Sequence, residues 1–242
     1  MTSRSSRSAA VALFAMVATA LALGHAQRLE AKEDWPQVSP DGLQLKKSSD
    51  HGAVYLKPGA TFSQYDRLSL VDCFVDFAKD WQRDYNENEP DLTHRVTQSD
   101  VDRIKTEVAA EFRKVFTEEL QTKGGYQIVD TAAPDVLVLR PAIINLVVTA
   151  PDLNTPDMSA SVVASAGQMT LYLELWDSAT NTLLARVIDA EADPGAGGLP
   201  QQADSVTNKA AADRILKAWA DKLRKRLDEV RSQPAAAPSP QN

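Results

Sequence analysis

The sequence predicts an α/β fold of the α+β kind: a single two-layer sandwich, with a mixed, mostly antiparallel sheet packed by two long helices. Three observations predict it. Apolar residues recur at helical spacing in two long stretches, one opening at Ser99 and one running from about Asp204 to Arg231. Shorter runs between and before them alternate apolar and polar residues or are rich in β-branched and aromatic types, as strands are. In the second half these runs are joined by short turns, which favours antiparallel neighbours.

The chain opens with Arg4 and Arg7, an apolar run from Ala9 to Leu23, and then Gly24-His25-Ala26. Basic start, short apolar centre and small-x-small ending are the layout of a secretory signal peptide, expected over residues 1–26. The apolar run is about 15 residues, short of the roughly 20 that a spanning helix needs. A lipid anchor at the cleavage site would require a cysteine there, and the only cysteine is Cys73. The expected mature chain therefore starts near Gln27 with no stable membrane anchor. Its net charge falls from −7 to −9, because the signal removes Arg4 and Arg7 and no Asp or Glu. That acidity argues against nucleic acid as a partner. With 43% hydrophobic residues the chain can bury one sizeable core.

Residues 27–53 are polar and carry Pro36, Pro40 and Gly42, so they read as an extended lead-in to a single domain over 54–232. Arg67–Ala78 is a strand pattern, and Cys73 within it is expected to be buried. Its neighbours Asp72 and Asp76 would raise a thiol pKa, which disfavours a reactive role. Lys79 to Gln98 is polar and acidic without apolar period, and reads as a long loop. Ser99 is the expected cap of the first helix, with Asp100 and Asp102 suiting its positive end. Val101, Ile104, Val108, Phe112, Val115, Phe116 and Leu120 form its inner stripe, and Gly124-Gly125 stops it.

Tyr126–Asp130 is a short strand and Asp130–Pro134 a turn. Asp135–Val148 is a longer apolar strand, in which Pro141 suggests a bulge or an edge position. Ala150–Gly167 reads as a loop. Met169, Leu171, Leu173 and Leu175 alternate with polar or amphipathic residues, the pattern of a half-buried strand. Asp177–Asn181 is turn chemistry, and Leu183–Ala190 returns as the hairpin partner. Asp193–Pro200 is a Gly/Pro loop. The second helix follows, with a basic outer face at Lys222, Arg224, Lys225 and Arg226. Residues 233–242 form a Pro/Ala/Ser tail expected to be disordered.

Three segments carry a resemblance. Tyr55-Leu56-Lys57-Pro58-Gly59-Ala60 precedes the first strand pattern, Val75-Asp76-Phe77-Ala78-Lys79-Asp80-Trp81 is acidic and aromatic, and Leu175–Arg186 contains the hairpin turn. In these the chain resembles a bacterial family of exported proteins, domain-of-unknown-function family 3313, over roughly residues 50–230. The resemblance implies fold and compartment. It implies no activity, because the family has none established. Many relatives look like lipoproteins, from which this chain departs by lacking a cysteine after the apolar run.

Catalytic signatures are missing. His51 and His94 lie in no zinc-binding pattern, no Gly-x-Ser-x-Gly elbow occurs, and Gly195-Ala196-Gly197-Gly198 lacks the Lys-Ser/Thr of a phosphate loop. Asp84, Asn86 and Asn88 have the alternate spacing of a calcium loop. The sixth position is Glu89 where Gly is needed, and the twelfth is Arg95 where Glu is needed. No metal and no cofactor are expected. The candidate ligand-binding residues are Asp80, Trp81, Asp84 and Tyr85, because carboxylates beside aromatic rings can line a cleft for a sugar or a cation. A solvated acidic loop, pinned to the sheet by Trp81 and Tyr85, is the plainer alternative. The function expected is that of a non-catalytic, exported protein of the bacterial envelope, an interaction or assembly module with an envelope protein as partner. The alternative is a small-ligand binder or hydrolase working at residues 76–91.

Overall fold

The computed structural model of the chain describes residues 35–148, 161–163, 167–192, 201–203 and 205–232. The expected signal, the Gly/Pro loop at 193–200 and the tail at 233–242 lie outside the described residues.

The fold is the expected α/β sandwich. Its layer of strands is built from β1 (Gln44–Ser49), β2 (Gly52–Leu56), β3 (Arg67–Leu70), β4 (Phe74–Phe77), β5 (Gln127–Ile128), β6 (Val136–Val148), β8 (Gly167–Asp177) and β9 (Thr182–Ala192). Their spatial order is β1-β2-β9-β8-β6-β3-β5, with β4 also on β6. The four pairs from β1 to β6 are antiparallel; β3 and β4 run parallel to β6, and β5 parallel to β3. Two further strands, β7 (Ser161–Val163) and β10 (Gln201–Ala203), pair with each other in a separate small sheet. Among the described residues the α-helices are α1 (Trp81–Asn88), α2 (Gln98–Thr117) and α3 (Ser205–Arg231).

Alternation decides which face is covered. On β8, Met169, Leu171, Leu173 and Leu175 are buried and share one core with Ile104, Phe112 and Phe116 of α2 and Ile215, Leu216 and Trp219 of α3. Each such fully buried side chain contributes roughly 1.5–3 kcal/mol. The intervening Thr170, Tyr172, Glu174 and Trp176 are half-buried and point to the opposite face. The inner stripe expected for α2 is the one found, continued by Leu120 in a π-helical turn (Glu118–Lys123). The chain turns out of it at Gly125, whose φ of 69° is the left-handed conformation a glycine allows. The hairpin turn is also as expected, with Asn181 at φ 51°.

Four expectations are corrected. The lead-in is not merely extended: β1 lies inside it, and Trp35, Leu43 and Leu45 pack with Ala53, Tyr55 and Leu183 in a second small core. The sheet therefore begins well before residue 54. The stretch 79–98 is not one loop, for it holds α1 and a 3-10 turn (Leu92–His94). Its polar composition hid Trp81 and Tyr85, four residues apart on one helical face, and the ring of Phe77 at the end of β4 that stacks on Trp81. The cap of α2 is Thr97, not Ser99: Thr97 Oγ1 accepts from the Asp100 amide while the Asp100 carboxylate accepts from the Thr97 amide. The loop expected at 150–167 contains β7, and β10 follows the Gly/Pro stretch.

Pro141 is at no bulge, and although β6 lies inside the sheet, its β3/β4 side is open at this one residue, a local edge. Leu139 offers its carbonyl to Val71 on the β3 side, so two residues on Pro141 faces the same way. There β3 has ended at Leu70 and β4 begins only at Phe74, so no partner needs the missing N–H.

The basic run on α3 faces carboxylates of its own chain. Lys222 meets Asp189 and Glu191, Arg224 meets Glu119, Asp221 and Asp228, and Lys225 and Arg226 meet Asp221 and Glu229.

Candidate functional site

The acidic-aromatic stretch folds as a short helix because its rings have somewhere to go. Phe77, at the end of β4, stacks on Trp81 at 4.1 Å between centroids and 16° between planes. Trp81 is 7% exposed and leans on Tyr85 at 5.9 Å. The Trp81 indole N–H donates to the Val148 carbonyl at 3.1 Å. The far end is held by Asn86, whose amide donates to the Val96 carbonyl at 2.9 Å and accepts from the Val96 amide at 2.7 Å. Asn88 donates to the Asp84 carbonyl. The two asparagines of the calcium-like spacing thus serve the backbone.

Between α1 and the end of β6 lies an open groove of about 420 Å³, lined by Ala78, Lys79, Trp81, Asp84, Tyr85, Asn88, Glu89, Val147 and Val148. A bulge creates one of its walls. β6 carries one extra residue between Ile144 and Val147 relative to both neighbours, and Asn145 sits in it at φ 53°. The bulge re-aims Val147 and Val148 toward the helix.

Of the four candidate residues, Trp81, Asp84 and Tyr85 line this groove, and Asp80 does not. Asp80 precedes α1 in a left-handed conformation, φ 63°, and pairs with Arg83 at 3.1 Å. Arg83 also holds Asp84 at 2.8 Å. Asp76 turns away to Lys105 of α2 at 2.8 Å, whose hydrogen bond holds its carboxyl below the usual range. Asp76, Asp80 and Asp84 are therefore not gathered around the groove: only Asp84 lines it. Burial raises the Tyr85 phenol, and the nearby Glu89 carboxylate raises it further, so it stays a protonated donor. Lys79, Val147 and Val148 were not singled out by sequence, and Asn88 and Glu89 entered only through the calcium-like spacing. Glu89 could have been found by placing it four residues after Tyr85, but the valines come from a strand about 60 residues away.

Among the described residues no group of three or more His, Cys, Asp and Glu side chains is placed to hold a metal ion. Cys73 is buried as expected, and burial pushes its thiol up to about 12, far from a reactive thiolate. No helix among the described residues is long and apolar enough to cross a membrane.

The second feature is the sheet face opposite α2 and α3. One row across it reads Phe74, Ala142, Tyr172, Ile188, by the register of β4, β6, β8 and β9. Phe74 is 62% exposed there. Beside that row a polar hub closes on Glu174, which accepts from Tyr172 at 3.1 Å, Trp176 at 3.0 Å and Arg186 at 2.8 Å. Arg186 also meets Asp41, and Arg140 lies over the Trp176 ring at 4.5 Å.

A family model described as "Protein of unknown function (DUF3313)" matches residues 36–223. No curated protein matches the chain. Two structures of the PelC dodecamer from Paraburkholderia phytofirmans are similar to it. One, of a point variant, is 12% identical at a TM-score of 0.36, covering 72% of this chain and 97% of that one. The other is 11% identical at a TM-score of 0.36, covering 76% and 99%.

Proposed function

The chain belongs to the DUF3313 family of proteins of unknown function, and from that premise we propose that it is a non-catalytic, exported module of the bacterial envelope that works through protein contacts. The observation that supports this most is the sheet face with Phe74, Ala142, Tyr172 and Ile188 in one row and Phe74 62% exposed. An aromatic side chain standing out in a row with apolar neighbours, with a satisfied polar network further along the same face, has the make-up of an interface centre. The basic-apolar-small opening at Arg4, Arg7, Ala9–Leu23 and Gly24-His25-Ala26 supports export.

The test places a photo-crosslinking amino acid at position 74 and, as control, at position 217 on the outer side of α3, in full chain expressed in a bacterial host. One discrete protein adduct from position 74 and none from 217 is expected. No adduct at 74 under several growth conditions would overturn the reading. Intact mass of the exported product, expected to begin at Gln27, tests the compartment.

A second reading is favoured by a separate observation, the groove walled by Trp81, Tyr85, Val147 and Val148 with the carboxylates Asp84 and Glu89 also in its lining. In it the groove takes a ligand group, and the expected small-ligand role belongs there.

A further inference from the structure

We propose that the α1 groove receives an organic cation, the ammonium or guanidinium group of a lysine or arginine side chain on a partner protein. The inference rests on reading the groove as a ligand site, and it adds the chemistry of the occupant.

The walls suit such a side chain along its length. Ala78, Trp81, Val147 and Val148 are an apolar lining that a methylene stem can cover. Tyr85 adds a half-buried ring beside two carboxylates, Asp84 and Glu89. A ring face next to an anion is a favourable place for a cation. The Tyr85 hydroxyl makes no hydrogen bond to another described residue.

Charge selects the sign. Between Lys79 and Asp91 there are five carboxylates and two cations, a net of −3. One of the cations, Arg83, is already held by Asp80, Asp84 and Glu87. Glu89 has no cation within ion-pair distance among the described residues. Its only described hydrogen bond is from the Asp91 amide at 3.0 Å. An anion would meet Glu89, whose charge no described cation offsets, whereas Asp84 is already paired with Arg83. A sugar would want an open ring to stack on, and Trp81 is 7% exposed with its N–H already given to Val148. Lys79 is the one like charge on the wall, so it opposes the occupant and makes a second handle.

The test is an amide and indole chemical-shift titration of the isotope-labelled full chain. The probes are N-acetyl-lysine methylamide, N-acetyl-arginine methylamide, methyl β-glucoside and acetate. The cationic probes should shift the Trp81 indole and the amides of Ala78–Glu89, Val147 and Val148 saturably. Glu89→Gln should weaken them roughly threefold to tenfold, and Lys79→Gln should tighten them. Both variants alter partly or fully exposed side chains, so an unchanged spectrum elsewhere confirms the fold. If the glucoside or acetate shifts these signals and the cations do not, the groove is a ligand site but its cationic occupant is refuted. If no probe shifts them, the groove reading itself falls. Cation binding that Glu89→Gln leaves unchanged would also overturn the assignment.

Discussion

The Trp81 indole nitrogen donates to the Val148 carbonyl at 3.1 Å, and this bond ties the first helix to the end of the longest strand. The ring is also stacked on Phe77, so packing and polar anchoring can be separated. Trp81→Ala should cost roughly 3–5 kcal/mol. Trp81→Phe should cost about 1–2 kcal/mol, since it keeps a ring but leaves the carbonyl without its donor. Urea unfolding measures both. A Trp81→Phe variant as stable as the parent would mean that the bond to Val148 is not an anchor.

The α2 cap gives a discriminating pair. Thr97→Ala removes the acceptor for the Asp100 amide and should cost about 1 kcal/mol. Ser99→Ala changes an exposed residue inside the first turn and should be within about 0.5 kcal/mol of the parent. The reverse order in thermal or urea unfolding would restore Ser99 as the cap.

How far the fold could be read from the sequence follows from where each signal is stored. The α2 stripe from Val101 to Leu120, the alternation from Met169 to Leu175 and the turn ending at Asn181 are local patterns, and all are found. The early strand Gln44–Ser49 was hidden because its side chains are almost all exposed. It belongs to the sheet through backbone pairing with β2, and Gly52 lets β2 approach β9 so closely that a Cβ there would lie 2.3 Å from the Ile188 carbonyl. The helix α1 was hidden because its stability comes from Phe77 and from Asn86 reaching Val96, contacts that polarity averages do not register. A third of the groove's lining was legible, since Trp81, Asp84 and Tyr85 are close in sequence. Val147 and Val148 enter it only through long-range pairing and a bulge.

Glu119 supplies a pH signature. It is 5% exposed and accepts from Lys123 at 2.6 Å and from Arg224 at 2.9 Å. Burial pushes its carboxyl up, but the two cationic donors outweigh that and leave it below its ordinary value. A folded-state value below the unfolded one means stability that is fully present above the unfolded pKa, about 4.3. It is lost as pH falls through the folded value. Glu119→Gln should therefore destabilise by roughly 2 kcal/mol at pH 7, less than for a fully enclosed pair because Lys123 is largely exposed. The difference should shrink progressively below about pH 4. A gap that stays constant down to pH 3 in urea titrations would show that the charge is not what Glu119 contributes.

Cys73 is 8% exposed and its thiol is pushed to about 12 by burial, so almost none is thiolate at pH 8. A thiol-specific aromatic disulfide should react with the native chain only as fast as the chain opens, and at once in concentrated urea. Fast stoichiometric labelling of the native state would place the thiol on the surface and contradict the packing of β4 against β6.

The bulge at Asn145 is the last link between sheet and groove. Its φ of 53° costs a residue with a Cβ about 1 kcal/mol or more unless, like Asn, it tolerates the left-handed region. Asn145→Gly should be neutral or stabilising by a few tenths of a kcal/mol, because glycine removes the strain. Asn145→Ala should destabilise by about 1 kcal/mol, and Asn145→Val by more. The same series should move the amide resonances of Val147 and Val148 and that of the Trp81 indole, whose acceptor follows the bulge directly. If Asn145→Val unfolds no earlier than Asn145→Gly, the extra residue is not held in the left-handed conformation, and the groove wall must be set by something else.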